Sequence, residues 1–165
     1  MQTTLKTALF ILMWALIMAM QYNLDADKTA TRQLKNAVEI ATHDAAMAID
    51  PLAMSEGRIV FIDDLALDNF KASLEKNLNV SSEGGYVYTP NENSFYKDNI
   101  YLVAFEIIDD RVPREYPFQY ENPDFHIIEQ ITGPSIVAVV TTESPHWFRG
   151  PYTFITQGAV YEYRK

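Results

Sequence analysis

The hydrophobic and polar pattern divides the chain into two parts that predict different structures. Residues 2–50 contain neither glycine nor proline, and a stretch of this length without a helix breaker predicts helix over most of it. All 6 glycines and all 8 prolines lie at or after position 51. Because a residue before proline is disfavoured in the helical conformation, we place the division at Asp50-Pro51. The predicted parts are therefore a helical segment, 1–50, and a second domain, 51–165.

The helical segment opens with an unbroken apolar run over residues 8–20. Extended to residues 5–22, the run gives about 27 Å of helix, close to the roughly 30 Å hydrocarbon core of a bilayer. The most hydrophobic side chains of the run together favour membrane insertion by about 2–4 kcal/mol. The residues predicted to enter the membrane are Leu9, Phe10, Ile11, Leu12, Trp14, Leu16 and Ile17.

An uncleaved membrane anchor and a cleaved signal peptide both fit this pattern. The short basic start and the length of the apolar run suit a signal peptide. The residues after Met20 offer no pair of small residues for cleavage, which favours the anchor. Lys6 precedes the run, and Asp25 and Asp27 follow it. Positive charge tends to stay inside, so we expect a cytoplasmic N-terminus and an extracytoplasmic second domain at the membrane or cell surface.

Alanines recur through the helical segment with an eleven-residue period, in two sets four residues apart. Eleven residues make three helical turns, so these alanines stay on one face. Small residues at this spacing let two helices approach closely, which predicts one helix over residues 4–49 with an assembly face that contacts other copies. The face predicted for helix–helix assembly comprises Ala8, Ala15, Ala19, Ala26, Ala30, Ala37 and Ala41.

Two alternatives to an interchain face remain open for this stripe. Alanine is the best helix former, so the pattern can reflect helix propensity alone. The outer half of the helix can also pack on its own domain, as we expect for residues 37–49. The part before Lys28 is expected to have no domain beside it and therefore to need another partner.

The second domain predicts a helix followed by strands. Residues 58–63 are expected to form a short strand, and Asp64 is expected to cap a helix over residues 65–78. The run at 135–142 is apolar on both faces and predicts an inner strand. This order favours an α+β fold, a long N-terminal helix packed on a small antiparallel sheet. The predicted strands are 86–89, 100–108, 125–131, 135–142 and 152–163.

The composition argues against nucleic-acid binding and against most kinds of catalytic and metal site. A net charge of −9 disfavours nucleic-acid binding through a basic field, and the absence of cysteine excludes thiol catalysis and disulfides. His43, His126 and His146 form no recognised metal or catalytic spacing. We therefore predict a protein that is not an enzyme, with no catalytic, cofactor-binding or metal site.

Three weaker features leave questions open. The acidic pairs Asp63-Asp64 and Asp109-Asp110 could bind a hard cation, although turns and helix caps are the favoured interpretation. Asn79 begins a glycosylation sequon, a tripeptide that is common by chance. The tyrosine-rich domain could bind a glycan or a surface, although aromatic residues on strands mostly serve packing.

The apolar run at 8–20, the breaker-free extension to Asp50 and the aromatic, strand-rich remainder resemble the type IV pilin-like group, which includes pilins, pseudopilins and tight-adherence pilins. In that group the helices bundle in a filament core and the heads face outward. The resemblance implies copies of the chain as partners and a membrane location before assembly.

The chain also departs from that group. Many members carry Glu at position 5 of the mature helix, where this chain has Leu5. A basic-glycine processing site and a C-terminal cysteine pair are absent. The chain is therefore expected to be either a mature sequence or a divergent, unprocessed member. The alternative function is a membrane-anchored extracytoplasmic binding or sensory module.

Overall fold

The computed structural model describes residues 2–82, 84–151 and 153–163. One helix, α1, runs from Gln2–Ala46 over 45 residues, without a break at Asn23, Asp25 or Asp27, where helix-disfavouring side chains follow the apolar run. The continuous helix predicted from the sequence is therefore confirmed. It ends three residues before the predicted position 49.

The segment after α1 contains a short helix that was not predicted, and little of its predicted strand is formed. Asp50 caps a short helix, α2 (Pro51–Ser55), by accepting a hydrogen bond from the Leu52 backbone N–H at 2.9 Å. The strand expected at 58–63 is reduced to a single bridge between Phe61 and Ile49. Pro51 fits the first helical position because its missing N–H would have no partner there.

A second long helix, α3 (Asp63–Leu78), begins earlier than predicted. Ile62, and not Asp64, occupies the cap position, and its apolar side chain accepts no capping hydrogen bond. Asp63 and Asp64 lie instead in the first turn, where carboxylates interact favourably with the helix dipole. The helix ends at Asn79, which adopts a left-handed conformation with φ +52°.

The strands form a five-stranded antiparallel sheet and a separate two-stranded hairpin. The strands are β1 (Val80–Ser81), β2 (Val87–Pro90), β3 (Ile100–Ile108), β4 (Phe118–Asn122), β5 (Ile127–Ile131), β6 (Ser135–Glu143) and β7 (Phe154–Glu162). In the sheet the spatial order is β1-β2-β3-β6-β7, and β4 pairs with β5 in the hairpin.

Most strand predictions are confirmed. The run at 135–142 is the inner strand β6, between β3 and β7, and its residues are almost entirely buried. The strand predicted at 125–131 begins two residues later, and Tyr152, expected to open the last strand, lies outside the described residues. Strands β1 and β4 were not predicted.

The sheet lies between the helices and the hairpin. On one face the main core joins α1 and α3 to alternate residues of β6, including Ile136, Ala138 and Val140. On the other face Val137 packs with Ile131 of the hairpin. The predicted α+β fold, a long N-terminal helix on a small antiparallel sheet in the layout of a pilin-like fold, is confirmed.

The head is the unit formed by the outer half of α1 and everything that follows it. Residues of α1 from Ala30 onward belong to the same core as the sheet, so Asp50 does not divide the packing into two bodies. The outer half of α1 is a structural part of the head, as the sequence predicted for residues 37–49.

Candidate membrane and assembly surface

The first half of α1 leaves the head as an exposed apolar helix. It contains a window with a mean hydropathy of 1.7, none of it buried, and by length and composition this helix is able to cross a membrane. All seven residues predicted to enter the membrane have exposed side chains, from Leu9 to Ile17. Exposed apolar surface of this extent is unusual in a soluble monomer and indicates a partner or a lipid environment.

The alanine face divides between the two halves of α1. Ala8 and Ala15 are exposed and Ala19 is half-buried. The other four alanines of the face are buried inside the chain's own head, namely Ala26, Ala30, Ala37 and Ala41.

The burial of Ala26, Ala30, Ala37 and Ala41 corrects their assignment to an interchain face. The Tyr96 hydroxyl donates a 2.7 Å hydrogen bond to the Ala30 carbonyl, so the head contacts the helix backbone there. Burial also raises the pKa of the Tyr96 phenol, because the ionised form would lose its hydration. The small side chains let the helix lie close to the sheet and α3. An interchain role remains a prediction for Ala8, Ala15 and Ala19.

Asn23 joins α1 to the head one residue after the predicted span ends. Its Oδ1 accepts hydrogen bonds from the backbone N–H groups of Trp147 at 3.1 Å and Phe148 at 3.0 Å. Its Nδ2 donates to the Phe148 carbonyl at 2.9 Å. The expectation that no domain lies beside the helix before Lys28 is therefore wrong. An Asn at the end of an apolar helical run is visible in the sequence, but it does not indicate which residues Asn23 contacts.

The loop held by Asn23, residues 145–151, joins β6 to β7 and is called the aromatic loop here. Its base closes with a 2.7 Å hydrogen bond from the Ser144 N–H to the Thr153 carbonyl. The Trp147 and Phe148 side chains are 62% and 48% exposed, although their backbone is fixed. Tyr22 lies beside Phe148, with the two ring centroids 6.1 Å apart.

A groove of about 640 Å³ runs between α1 and the aromatic loop. Gly150 lies at its wall, where an added Cβ would stand 3.3 Å from Asn23 Nδ2, so a side chain there would crowd the Asn23 contact. The apolar residues that line the groove include Leu16, Ala19, Met20, Leu24 and Pro151.

The acidic pairs stabilise the local structure around the start of α3 and the end of β3. Asp109 accepts hydrogen bonds from the Phe61 N–H at 3.1 Å and from Arg111, and Asp110 accepts from the Ile59 N–H at 2.7 Å. Arg111 also donates to both carboxylate oxygens of Asp63, at 2.6 and 2.9 Å, and holds the pKa of Asp63 below its usual range. The turn interpretation is therefore confirmed for Asp109 and Asp110. They tie the segment before α3 to the end of β3.

The remaining candidate residues have structural contacts. His43 Nδ1 lies 3.2 Å from Asp44, with the imidazole edge-on to Tyr161, and His126 Nδ1 lies 2.9 Å from the Pro123 carbonyl oxygen. Asn79 donates from Nδ2 to the Glu92 carbonyl at 3.2 Å. Within the described residues, no group of three or more His, Asp or Glu side chains is placed to hold a metal ion.

No protein-family model, curated protein or solved structure matches this chain.

Proposed function

We propose that the chain is a structural, pilin-like subunit of a cell-surface filament, without enzymatic activity. The N-terminal helices bundle in the filament core, and the heads face outward. The observation that carries the proposal is that the apolar half of α1 extends, exposed and unbroken, from a helix whose other half is part of the head core. A rigid connection of this kind would fix each head relative to a shared helical bundle.

Before assembly the same apolar half would lie in a membrane, with the head outside it. The segment between Leu5 and Tyr22 has the length for one crossing, and Lys6 near its start favours a cytoplasmic N-terminus. Moving the segment from lipid into a bundle would replace one apolar environment by another. Close packing at small residues would then favour the bundle.

A second candidate function is a membrane-anchored extracytoplasmic binding or sensory module that acts without polymerising. Its support is that four of the seven alanines of the predicted assembly face are already buried within the chain. Only Ala8, Ala15 and Ala19 are then left for contacts with other copies. Electron microscopy of the native assembly distinguishes the two functions, because a filament requires helices packed in a regular array and an anchored module does not.

The filament proposal predicts that Ala15→Leu blocks assembly and leaves the head folded. A bulkier side chain on a close helix contact forces the backbones apart, at a cost of about 1–3 kcal/mol at each interface. Thr7→Leu is the matched control, because position 7 lies about 80–120° around the helix from the three alanines at 8, 15 and 19. Filaments are counted by electron microscopy, and circular dichroism checks the head. Normal filaments from Ala15→Leu would mean that the alanine pattern reflects helix propensity alone.

A further inference from the structure

The aromatic loop presents large apolar side chains to solvent from a fixed backbone. Three hydrogen bonds between Asn23 and the loop backbone, and the closed base between Ser144 and Thr153, hold the loop. A proline at each end, Pro145 and Pro151, further restricts it. Trp147 and Phe148 nevertheless remain 62% and 48% exposed. Exposed aromatic residues on a constrained loop point to a surface that covers them.

The position of the aromatic loop along α1 indicates which surface covers these side chains. Asn23 follows Tyr22, the last residue of the apolar span, by one helical rise of about 1.5 Å. The loop backbone is hydrogen-bonded to Asn23, and the Phe148 ring lies beside Tyr22. Trp147, Phe148 and Tyr22 therefore share the level at which the helix would leave the hydrocarbon core.

We propose that the aromatic loop is a second membrane contact, in which Trp147 and Phe148 enter the interfacial region of the leaflet from which α1 emerges. The inference rests on the membrane-inserted stage of the proposed function. Tryptophan and tyrosine favour the membrane interface because their rings are apolar and their polar groups can still reach water. Arg149, next in the loop, adds a positive charge for lipid phosphates.

Two contacts, the span and the loop, would set the orientation of the head. A single helix leaves the head free to tilt in any direction relative to the bilayer. The aromatic loop lies on the Asn23 side of α1, so its insertion would tilt the head toward that side. The groove between the loop and α1 would then open at the level of the lipid headgroups.

The chain contains two tryptophans, which allows the proposal to be tested with the full-length protein. Trp14→Phe leaves Trp147 as the only tryptophan, and Trp147→Phe leaves Trp14. Each variant is reconstituted in vesicles of neutral and anionic phospholipid that carry a quencher near the headgroup or near the bilayer centre. We expect Trp147 to lose more fluorescence to the shallow quencher and Trp14 to lose more to the deep one. We also expect Trp147 to be shielded from aqueous iodide.

A matched control places tryptophan on the far side of the head. Leu52 is 71% exposed on α2, beyond the end of α1, about 35 Å of helix from Asn23. Leu52→Trp, in a chain with both native tryptophans replaced by Phe, should be quenched by iodide and not by either lipid quencher. This result would show that shielding of Trp147 comes from its position.

The possible failures are distinguishable. Deep quenching of Trp14 with no lipid quenching of Trp147 would overturn the loop contact and leave the membrane span intact. Shielding of Trp147 from iodide only at high protein-to-lipid ratio, without lipid quenching, would mean that another copy covers the loop and would also overturn the contact. If Trp14 escaped the deep quencher, the span would not be inserted, and the membrane stage of the proposed function would fail together with the loop contact.

Discussion

Gly158 of β7 lies beneath the hairpin, where an added side chain would meet Ile127. A Cβ there would stand 2.6 Å from Ile127 Cδ1 of β5 and 3.6 Å from the Ala138 carbonyl oxygen of β6. We expect Gly158→Val to displace Ile127 and to lower the free energy of unfolding by about 1–3 kcal/mol. Urea unfolding of the full-length chain in mild detergent measures this change.

The double variant Ile127→Ala with Gly158→Val tests that explanation. Truncating Ile127 removes the atom that a new side chain would meet, so the two losses of stability should sum to more than the loss in the double variant. Strictly additive losses would show that Gly158 is required for a reason other than the approach of the hairpin.

At the scale of elements, α1 is a core helix of the head and also an exposed apolar helix, and Asn23 lies where the two halves meet. Asn23→Ala removes three hydrogen bonds to the aromatic loop. We expect the amide hydrogens of Trp147 and Phe148 to exchange faster with solvent, because their acceptor is lost while α1 and the sheet stay folded. Hydrogen exchange followed by mass spectrometry on the 145–151 segment measures this change.

Asn36→Ala is the matched control, since Asn36 is an exposed residue of the same type on the same helix. It should leave exchange in the aromatic loop unchanged. Unchanged exchange in Asn23→Ala as well would mean that the loop is held by its own prolines and its closed base, and not by the helix.

The elements that could be predicted from the sequence are those with a long, uninterrupted pattern. Helix α1 and strand β3 match closely because one lacks breakers and the other is apolar at every position except Glu106. Strand β4, by contrast, consists of FQYEN, and only its pairing with β5 makes it a strand. The Asn23 contact was out of reach because it joins residues 124 and 125 positions apart, and no local pattern records such a distance.

At the scale of the whole molecule, the same eleven-residue alanine repeat runs through the exposed apolar half of α1 and through the half that packs in the head. Between residues 26 and 41 it lets α1 lie close against the sheet and α3, as shown by the burial of Ala30 and Ala41. The sequence repeat does not distinguish this intrachain contact from an interchain one, because both require small side chains on one face. The distinction depends on where the aromatic loop and Tyr96 meet the helix, which is a property of the folded chain.

The division of α1 predicts how truncated chains behave. A chain that begins at Gln21 keeps Asn23, Ala26 and the whole core, so we expect a soluble, acidic monomer that unfolds cooperatively. A chain that begins at Lys28 loses Asn23 and Ala26 and should be less stable by about 1–3 kcal/mol, because the loop amides lose their acceptor.

The full-length chain should require detergent, membrane or polymer, since the head does not cover the apolar half of its helix. Light scattering gives the mass of each chain, and denaturant unfolding compares the two truncated chains. A full-length chain that stayed monomeric without detergent would show that the apolar half folds back on the head, and both the filament and the membrane anchor would then be wrong.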